Sequence, residues 1–261
     1  MTTSDIRFDD GAAYERYMGT WSRRVGDAFL DWLGPQPGLR WLDVGCGNGA
    51  FTTLIIERCA PSSVLGIDPS AAQLDYARKR FPTATVQFRQ GDAMALPLSD
   101  DTFDAAVMPL VIFFVPEPPK GVAEMARVVR SGGIVSAYAW DMAGGGFPYA
   151  ALQTEMRALG FPVPQPPSPD ASRMDALFDL WAGAGLMTVD TLEIEVHRSF
   201  TNFDDYWRTI LGAPSAGRQL AGMPAEELAR LKALMRERLP GDAAGRITYG
   251  ARANAVRGRV P

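Results

Sequence analysis

Arg40-Trp-Leu-Asp-Val-Gly-Cys-Gly-Asn-Gly-Ala-Phe51 is the stretch on which the reading of this chain turns. Trp41, Leu42 and Val44 make a short apolar run suited to a buried strand, and Asp43 puts a carboxylate near its end. Gly45, Gly47 and Gly49 then remove three Cβ atoms within five residues, so backbone can lie directly against a ligand. From Ala50 to Cys59, Phe51, Leu54 and Ile55 recur at helical spacing. The turn therefore opens onto a helix N-terminus, whose free N–H groups suit a polar or anionic ligand.

Gly45-x-Gly47-x-x-Ala50 also satisfies the dinucleotide fingerprint. Two acids argue for a different ligand. Asp43 beside a pyrophosphate is repulsive, whereas beside an ammonium or sulfonium it is attractive. Asp92, in Gln90-Gly-Asp-Ala-Met94, follows a later strand and has no evident use in nicotinamide binding. With Asp68 in Leu65-Gly-Ile-Asp-Pro-Ser70, three successive candidate strands each end in a carboxylate. A cationic cofactor bearing a ribose and a purine would use all three.

Outward from this stretch the chain alternates. Strands are expected at Arg40–Val44, Ser63–Ile67, Thr85–Gln90, Phe103–Pro109 and Gly133–Ala139, with helices at Ala50–Cys59, Ala71–Phe81 and Pro119–Arg130. Such alternation implies right-handed crossovers and a doubly wound α/β fold with a mostly parallel sheet. Ligands on these sheets sit beyond the strand C-termini at the switch point, where Asp43, Asp68 and Asp92 fall. Met142–Pro169 is too rich in Gly and Pro for a continuous helix or a central strand. A helix is expected at Asp175–Ala184, an alternating strand at Thr188–Phe200, mostly helix over Asp204–Leu239, and a second alternating strand at Arg246–Arg257.

Composition bounds the function. The 261 residues carry 47% apolar side chains, enough for one large domain with a lid, and a formal net charge of −4 gives no electrostatic case for nucleic acid. No run approaches the roughly 18 to 20 apolar residues of a membrane span, and Met1-Thr-Thr-Ser-Asp5 does not resemble a secretory leader. Cys46 and Cys59 fit neither a redox pair nor a zinc motif, and no metal site is expected. A cytoplasmic enzyme is the expectation. Oligomeric state, monomer or homodimer, is left open.

Five ordered stretches carry a resemblance: Leu42-Asp-Val-Gly-Cys-Gly-Asn-Gly49, Gly66-Ile-Asp68, Gly91-Asp-Ala93, Asp101-Thr-Phe-Asp-Ala105 and Glu124-Met-Ala-Arg-Val-Val-Arg-Ser-Gly-Gly133. Together they resemble the motifs of class I S-adenosylmethionine (SAM)-dependent methyltransferases, in the small-molecule, ubiquinone/menaquinone-biosynthesis-like branch. The resemblance is close over residues 11–140. It implies a seven-stranded Rossmann-like sheet with the last strand antiparallel. It further implies an N-terminal helical cap over residues 1–34, a core of 35–200 and 240–261, and a helical lid insertion at 201–239. The cofactor would be SAM, leaving as S-adenosylhomocysteine, with no metal. Asp43 and the Gly45, Cys46, Gly47, Asn48 and Gly49 backbone would hold its methionine part. Asp68 would take the ribose hydroxyls, Asp92 with Ala93 and Met94 the adenine edge, and Pro69, Gln73 and Leu110 would complete the set.

The cap, Tyr14-Glu-Arg-Tyr-Met-Gly-Thr-Trp-Ser-Arg-Arg24 within a helix around Ala12–Leu33, places Tyr17 and Trp21 on one helical face to close over SAM. Arg23 would meet its carboxylate. Many relatives carry a histidine after the fourth strand; here Leu110-Val-Ile-Phe-Phe-Val-Pro116 puts Phe113 and Phe114 there. His197, the single histidine, lies on the solvent side of its strand, so the acceptor brings its own nucleophile or Tyr206 assists. Phe113, Trp140, Phe147, Tyr206 and Trp207 are the expected lining of a pocket for an apolar or aromatic small molecule. Glu124 reads as a structural pairing residue, and Arg246, Arg252, Arg257 and Arg259 as a solvated strand face. Two other readings stand beside this one: a non-catalytic, regulatory SAM-binding module, and an NAD-dependent Rossmann oxidoreductase.

Overall fold

A computed structural model describes residues 15–81, 84–213 and 216–261. The part of the expected cap from residue 1 to residue 14, including the helix start at Ala12, lies outside the described residues. The described chain enters through a π-helical turn, Glu15–Gly19, which runs straight into helix α1, Thr20–Leu33. Trp21, Val25, Phe29 and Leu33 recur every four residues and are all buried, the stripe of a helix packed on a core. Gly34, at φ 57°, closes α1 in the left-handed conformation.

Strands β1 (Arg40–Val44), β2 (Ser63–Asp68), β3 (Val86–Gln90), β4 (Phe103–Pro109), β5 (Val129–Trp140), β6 (Met187–Phe200) and β7 (Ile247–Arg259) form one seven-stranded sheet in the order β3-β2-β1-β4-β5-β7-β6. The first five are parallel, and β7 runs antiparallel to both β5 and β6. Helices α2 (Ala50–Cys59), α3 (Ala71–Arg80) and α4 (Pro118–Val128) supply the crossovers. In β1 four consecutive residues, Trp41 to Val44, are buried, as a central strand covered on both faces requires. β6 forms an edge and alternates, with Ile194 and Val196 buried and Glu193, Glu195 and His197 exposed.

Several boundaries move, for local reasons. The helix expected to reach Arg130 stops at Val128, because Val129 pairs with Phe103 and begins β5; a bulge between Phe103 and Ala105 absorbs the offset. Between the two Gly/Pro clusters of 142–169 lies a helix, α5 (Ala150–Ala158), which buries Leu152, Glu155 and Met156. Helix α6 (Met174–Gly183) packs against β6 and β7. The expected lid comprises α7 (Phe203–Leu211), α8 (Ala216–Ala221) and α9 (Ala225–Arg238). Arg238 Nε donates to Glu155 Oε1 at 2.5 Å, joining α9 to α5.

Glu124 binds Arg127 at 2.7 Å and accepts the Leu96 amide at 2.8 Å, a brace between α4 and the loop after β3. The C-terminal arginines are engaged one by one: Arg246 with Asp242, Arg252 with Asp141, Arg257 with Asp190 and the Trp32 ring, and Arg259 with the Gly132 carbonyl. No described helix is long and apolar enough to cross a membrane.

Candidate functional site

The C-terminal ends of β1 and β2 are adjacent, with Asp43 beside Gly66 and Val44 beside Ile67 in register. The chain leaves β1 through Gly45 and Cys46, whose amides both bond the Ile67 carbonyl, at 2.7 and 3.0 Å. Gly45 takes φ 75°, and a Cβ there would fall 2.4 Å from the Val111 side chain. Gly47 takes φ 52° with nothing within 4 Å of a Cβ position. The first glycine thus allows close packing, and the second leaves open space over the turn.

Both carboxylates are fixed from the protein side. Asp68 Oδ2 accepts the Gly47 amide at 2.9 Å and Oδ1 accepts the Ser70 amide at 2.8 Å, so each oxygen keeps lone pairs for a ligand. Asp43 is wholly buried, and its Oδ2 accepts the Thr52 hydroxyl at 2.6 Å. Its Oδ1 has no hydrogen-bond partner among the described residues. Burial, reinforced by the neighbouring Asp68 charge and opposed by the Thr52 bond, pushes the Asp43 carboxyl up to about 7. Burial also raises Asp68, while the Ser70 and Gly47 amides hold it back.

These groups open on a cavity of about 680 Å³, within the usual size of a small-molecule site. Asp43, Gly45, Cys46, Gly47, Asn48, Asp68, Pro69, Gln73 and Leu110 all line it. Leu110 has φ 61°, a costly conformation for a leucine, held by its amide bond to the Tyr138 carbonyl at 2.7 Å. Val111 and Phe114 continue the apolar wall, and α1 covers the other side with Thr20, Ser22, Arg23, Arg24 and Asp27.

Other expected residues sit elsewhere. Asp92, Ala93 and Met94 do not line this cavity; Asp92 is exposed and accepts the Met94 amide at 2.8 Å, two residues beyond the point where β3 pairs with Asp68. Tyr17 stacks on Tyr149, centroids 4.2 Å apart, and Trp21 packs against Tyr249, so neither closes over the cavity. The four-residue spacing did put them on one face, but that face turns to the core. Arg23 lines the cavity yet is held by Glu57 at 2.7 Å. Phe113 is buried edge-on to Phe114, which takes the wall position instead.

Trp140, Phe147, Tyr206 and Trp207 are likewise absent from the cavity wall. Helix α7 is amphipathic and turns Tyr206 and Trp207 inward, where Tyr206 meets Phe200, Phe203 and Tyr249. Desolvation there raises the Tyr206 phenol well above its usual range, which makes it unfit as a proton acceptor. His197 is exposed, with Glu195 as its neighbour at 3.4 Å. Sequence reasoning missed Thr52 and Arg24, and it noted Phe114 beside Phe113 without giving it a place in the cavity wall. Thr52 shares α2 with the buried Phe51 and Ile55, so a buried hydroxyl near the strand-end acid was discoverable; nothing singled out Arg24. Arg24 donates to the His197 carbonyl and has no acidic partner among the described residues.

Comparison with known proteins points the same way. Residues 42–137 match the profile of a methyltransferase domain. A demethylmenaquinone methyltransferase of Renibacterium salmoninarum is 36% identical over 143 residues, 53% of this chain and 56% of that protein. A ubiquinone/menaquinone biosynthesis C-methyltransferase of a Ruegeria species is 35% identical over 111 residues, 41% of this chain and 44% of that one. A chloroplastic 2-methyl-6-phytyl-1,4-hydroquinone methyltransferase of rice matches 37% of this chain and 28% of its own length, at 43% identity. The chain thus spans from about a quarter to just over half of these relatives. A Haemonchus contortus phosphoethanolamine N-methyltransferase solved with S-adenosylhomocysteine shares the fold, with a TM-score of 0.60 at 17% identity, covering 98% of this chain and 61% of that one.

Proposed function

We propose that the chain is a class I SAM-dependent methyltransferase, as its methyltransferase-domain match and quinone-methyltransferase relatives support, and that it moves a methyl group from SAM to a small apolar or aromatic acceptor of the quinol type, leaving S-adenosylhomocysteine. One observation carries this reading. Two neighbouring parallel strands end in carboxylates on either side of an open glycine turn, and all three face one cavity. The residues suit the cofactor, because a buried carboxylate oxygen without a partner calls for a cationic ligand.

When bound, SAM supplies an activated methyl group on a sulfonium leaving group. The chain's own task is then to bind, orient and keep water away, and proximity of this kind lowers a barrier by about 7–11 kcal/mol. Asp43 and the Gly45–Gly49 turn hold the amino-acid end. Asp68, already oriented by two amides, would accept the ribose hydroxyls. Arg24 is a better partner for the cofactor carboxylate than Arg23, which Glu57 already engages. Pro109, Leu110, Val111 and Phe114 offer the acceptor an apolar wall. Asp27, Asp43 and Asp68 are the acids among the described lining residues, and Arg58 holds Asp27 at 3.0 Å. The acceptor therefore brings its own nucleophile, such as an ionised phenol. The free, buried Cys46 and Cys59 support a reducing, cytoplasmic setting.

Parallel calorimetric titration with SAM, S-adenosylhomocysteine and NAD tests the cofactor. Binding of both adenosyl ligands with NAD silent is expected; the reverse pattern refutes the assignment. Transfer of labelled methyl from SAM to demethylmenaquinol, compared with a simple amine, then tests the acceptor class.

A further inference from the structure

Among the groups on the cavity wall, Asp43 is the one whose surroundings do not suit its own charge. It is wholly buried, and its Oδ1 lacks a hydrogen-bond partner among the described residues. Among the described residues, no neighbouring element supplies a counter-ion for it. From α2 comes the neutral Thr52 hydroxyl, from β2 a second acid, Asp68, and from the glycine turn Cys46, whose thiol burial keeps protonated. The cations on the same cavity wall, Arg23 and Arg24 on α1 and Arg80 at the end of α3, form no ion pair with Asp43. A buried carboxylate with only neutral donors, the hydroxyl and backbone amide of Thr52, and a like charge beside it is better accommodated as the acid, with its proton on the unpartnered oxygen. The upward displacement of this carboxyl to about 7 agrees with that geometry.

Building on the assignment of the cavity to SAM, we infer that Asp43 sets ligand specificity by exchanging its proton for the ligand's ammonium group, so that the site prefers adenosyl amino acids to neutral adenosine derivatives. The exchange balances: the neutral carboxylic acid and the ligand's ammonium become a carboxylate–ammonium pair, and one proton passes to solvent. A ligand without an ammonium leaves the proton in place. Affinity for the cationic ligand accordingly rises with pH and levels off once Asp43 is ionised in the empty site, whereas affinity for a neutral adenosine derivative stays level.

Calorimetry of the full chain with S-adenosylhomocysteine, repeated in buffers of different ionisation enthalpy, counts the protons. Close to one proton released per ligand is expected at pH 6 and about half at pH 7, with affinity about tenfold weaker at pH 6 than at pH 8. 5′-Deoxy-5′-methylthioadenosine should bind with no proton released. In Asp43→Asn, proton release and the pH slope should vanish. Should that variant bind too weakly to titrate, infrared difference spectra of the native chain give the same answer: the protonated-carboxyl band should disappear when S-adenosylhomocysteine is added. Tight S-adenosylhomocysteine binding without proton release at pH 6, release that survives Asp43→Asn, or equal release with the neutral nucleoside each overturns the inference while leaving the cofactor assignment intact. Absence of any adenosyl binding overturns both.

Discussion

The hydroxyl of Thr52 reaches a buried carboxylate oxygen at 2.6 Å, and that contact opposes the burial that raises Asp43. Thr52→Val keeps the shape and removes the donor. Asp43 then keeps only the backbone amide of residue 52, the neutral acid gains further, and the pH at which S-adenosylhomocysteine binding reaches half its plateau should move upward. Leaving a buried acceptor unsatisfied also costs about 1–3 kcal/mol, readable by urea denaturation. An unmoved pH midpoint would mean that Thr52 does not tune this carboxyl. Asp68→Ala should weaken S-adenosylhomocysteine binding by at least about 1.5–3 kcal/mol, the range of a charge-assisted hydrogen bond. Unchanged affinity in a folded Asp68→Ala chain would remove that residue from the site. Asp43 and Asp68 were legible because an acid at a strand end needs only local pattern to be noticed. Thr52, Arg24 and Phe114 needed the packing of α1 and α2, which no spacing rule supplies.

Among the elements, α1 matters most, because it forms one wall of the cavity and touches α2 almost backbone to side chain. Gly26 makes this possible: a Cβ there would lie 2.5 Å from Leu54 Cδ1 and 3.2 Å from the Tyr138 hydroxyl. Gly26→Ala improves intrinsic helix propensity by about 1 kcal/mol yet forces an overpacked contact costing about 1–3 kcal/mol. Net loss of melting temperature is expected, together with weaker adenosyl binding as Thr20 and Arg24 move outward; higher stability with intact affinity would contradict this packing argument. The helix itself was readable from its four-residue apolar stripe. Its aromatic residues were not, since Tyr17 and Trp21 share a face whether that face meets a ligand or the core. The same ambiguity holds for α7, whose Tyr206 turned to Phe200 and Tyr249 and whose Trp207 stacked on Phe203.

At the scale of the whole molecule, ligand and pH act on one balance. The carboxyl of Asp43 is higher in the folded chain than in the unfolded one, so its contribution to stability is complete below the unfolded carboxylate value, near pH 4, and is lost as pH rises toward 7. Melting curves of the ligand-free chain should show that loss over this window, and Asp43→Asn should abolish it. S-adenosylhomocysteine at a hundred times its dissociation constant should add about 2.7 kcal/mol. The largest thermal shift is then expected near neutral pH, and a shift that shrinks from pH 6 to pH 7.5 would contradict the linkage. Alternation of strands and helices made the parallel half of the sheet readable residue by residue. That the last strand runs antiparallel came from family resemblance, whereas its position between β5 and β6 was not read from the sequence, because pairing partners distant in sequence leave no local mark.

That position has a consequence for how the molecule comes into being. β7 is the last strand in the chain, yet β6 touches the sheet only through it. During synthesis β1 to β5 can assemble as soon as they leave the ribosome, while β6 stays without a sheet neighbour until residues 247–259 have emerged. The carbonyl of His197 that holds Arg24, and the Arg198 guanidinium that donates to the Tyr17 carbonyl at 3.1 Å, belong to that waiting strand. These two ties of helix α1 therefore depend on β7 being in place, whereas its packing on α2 does not.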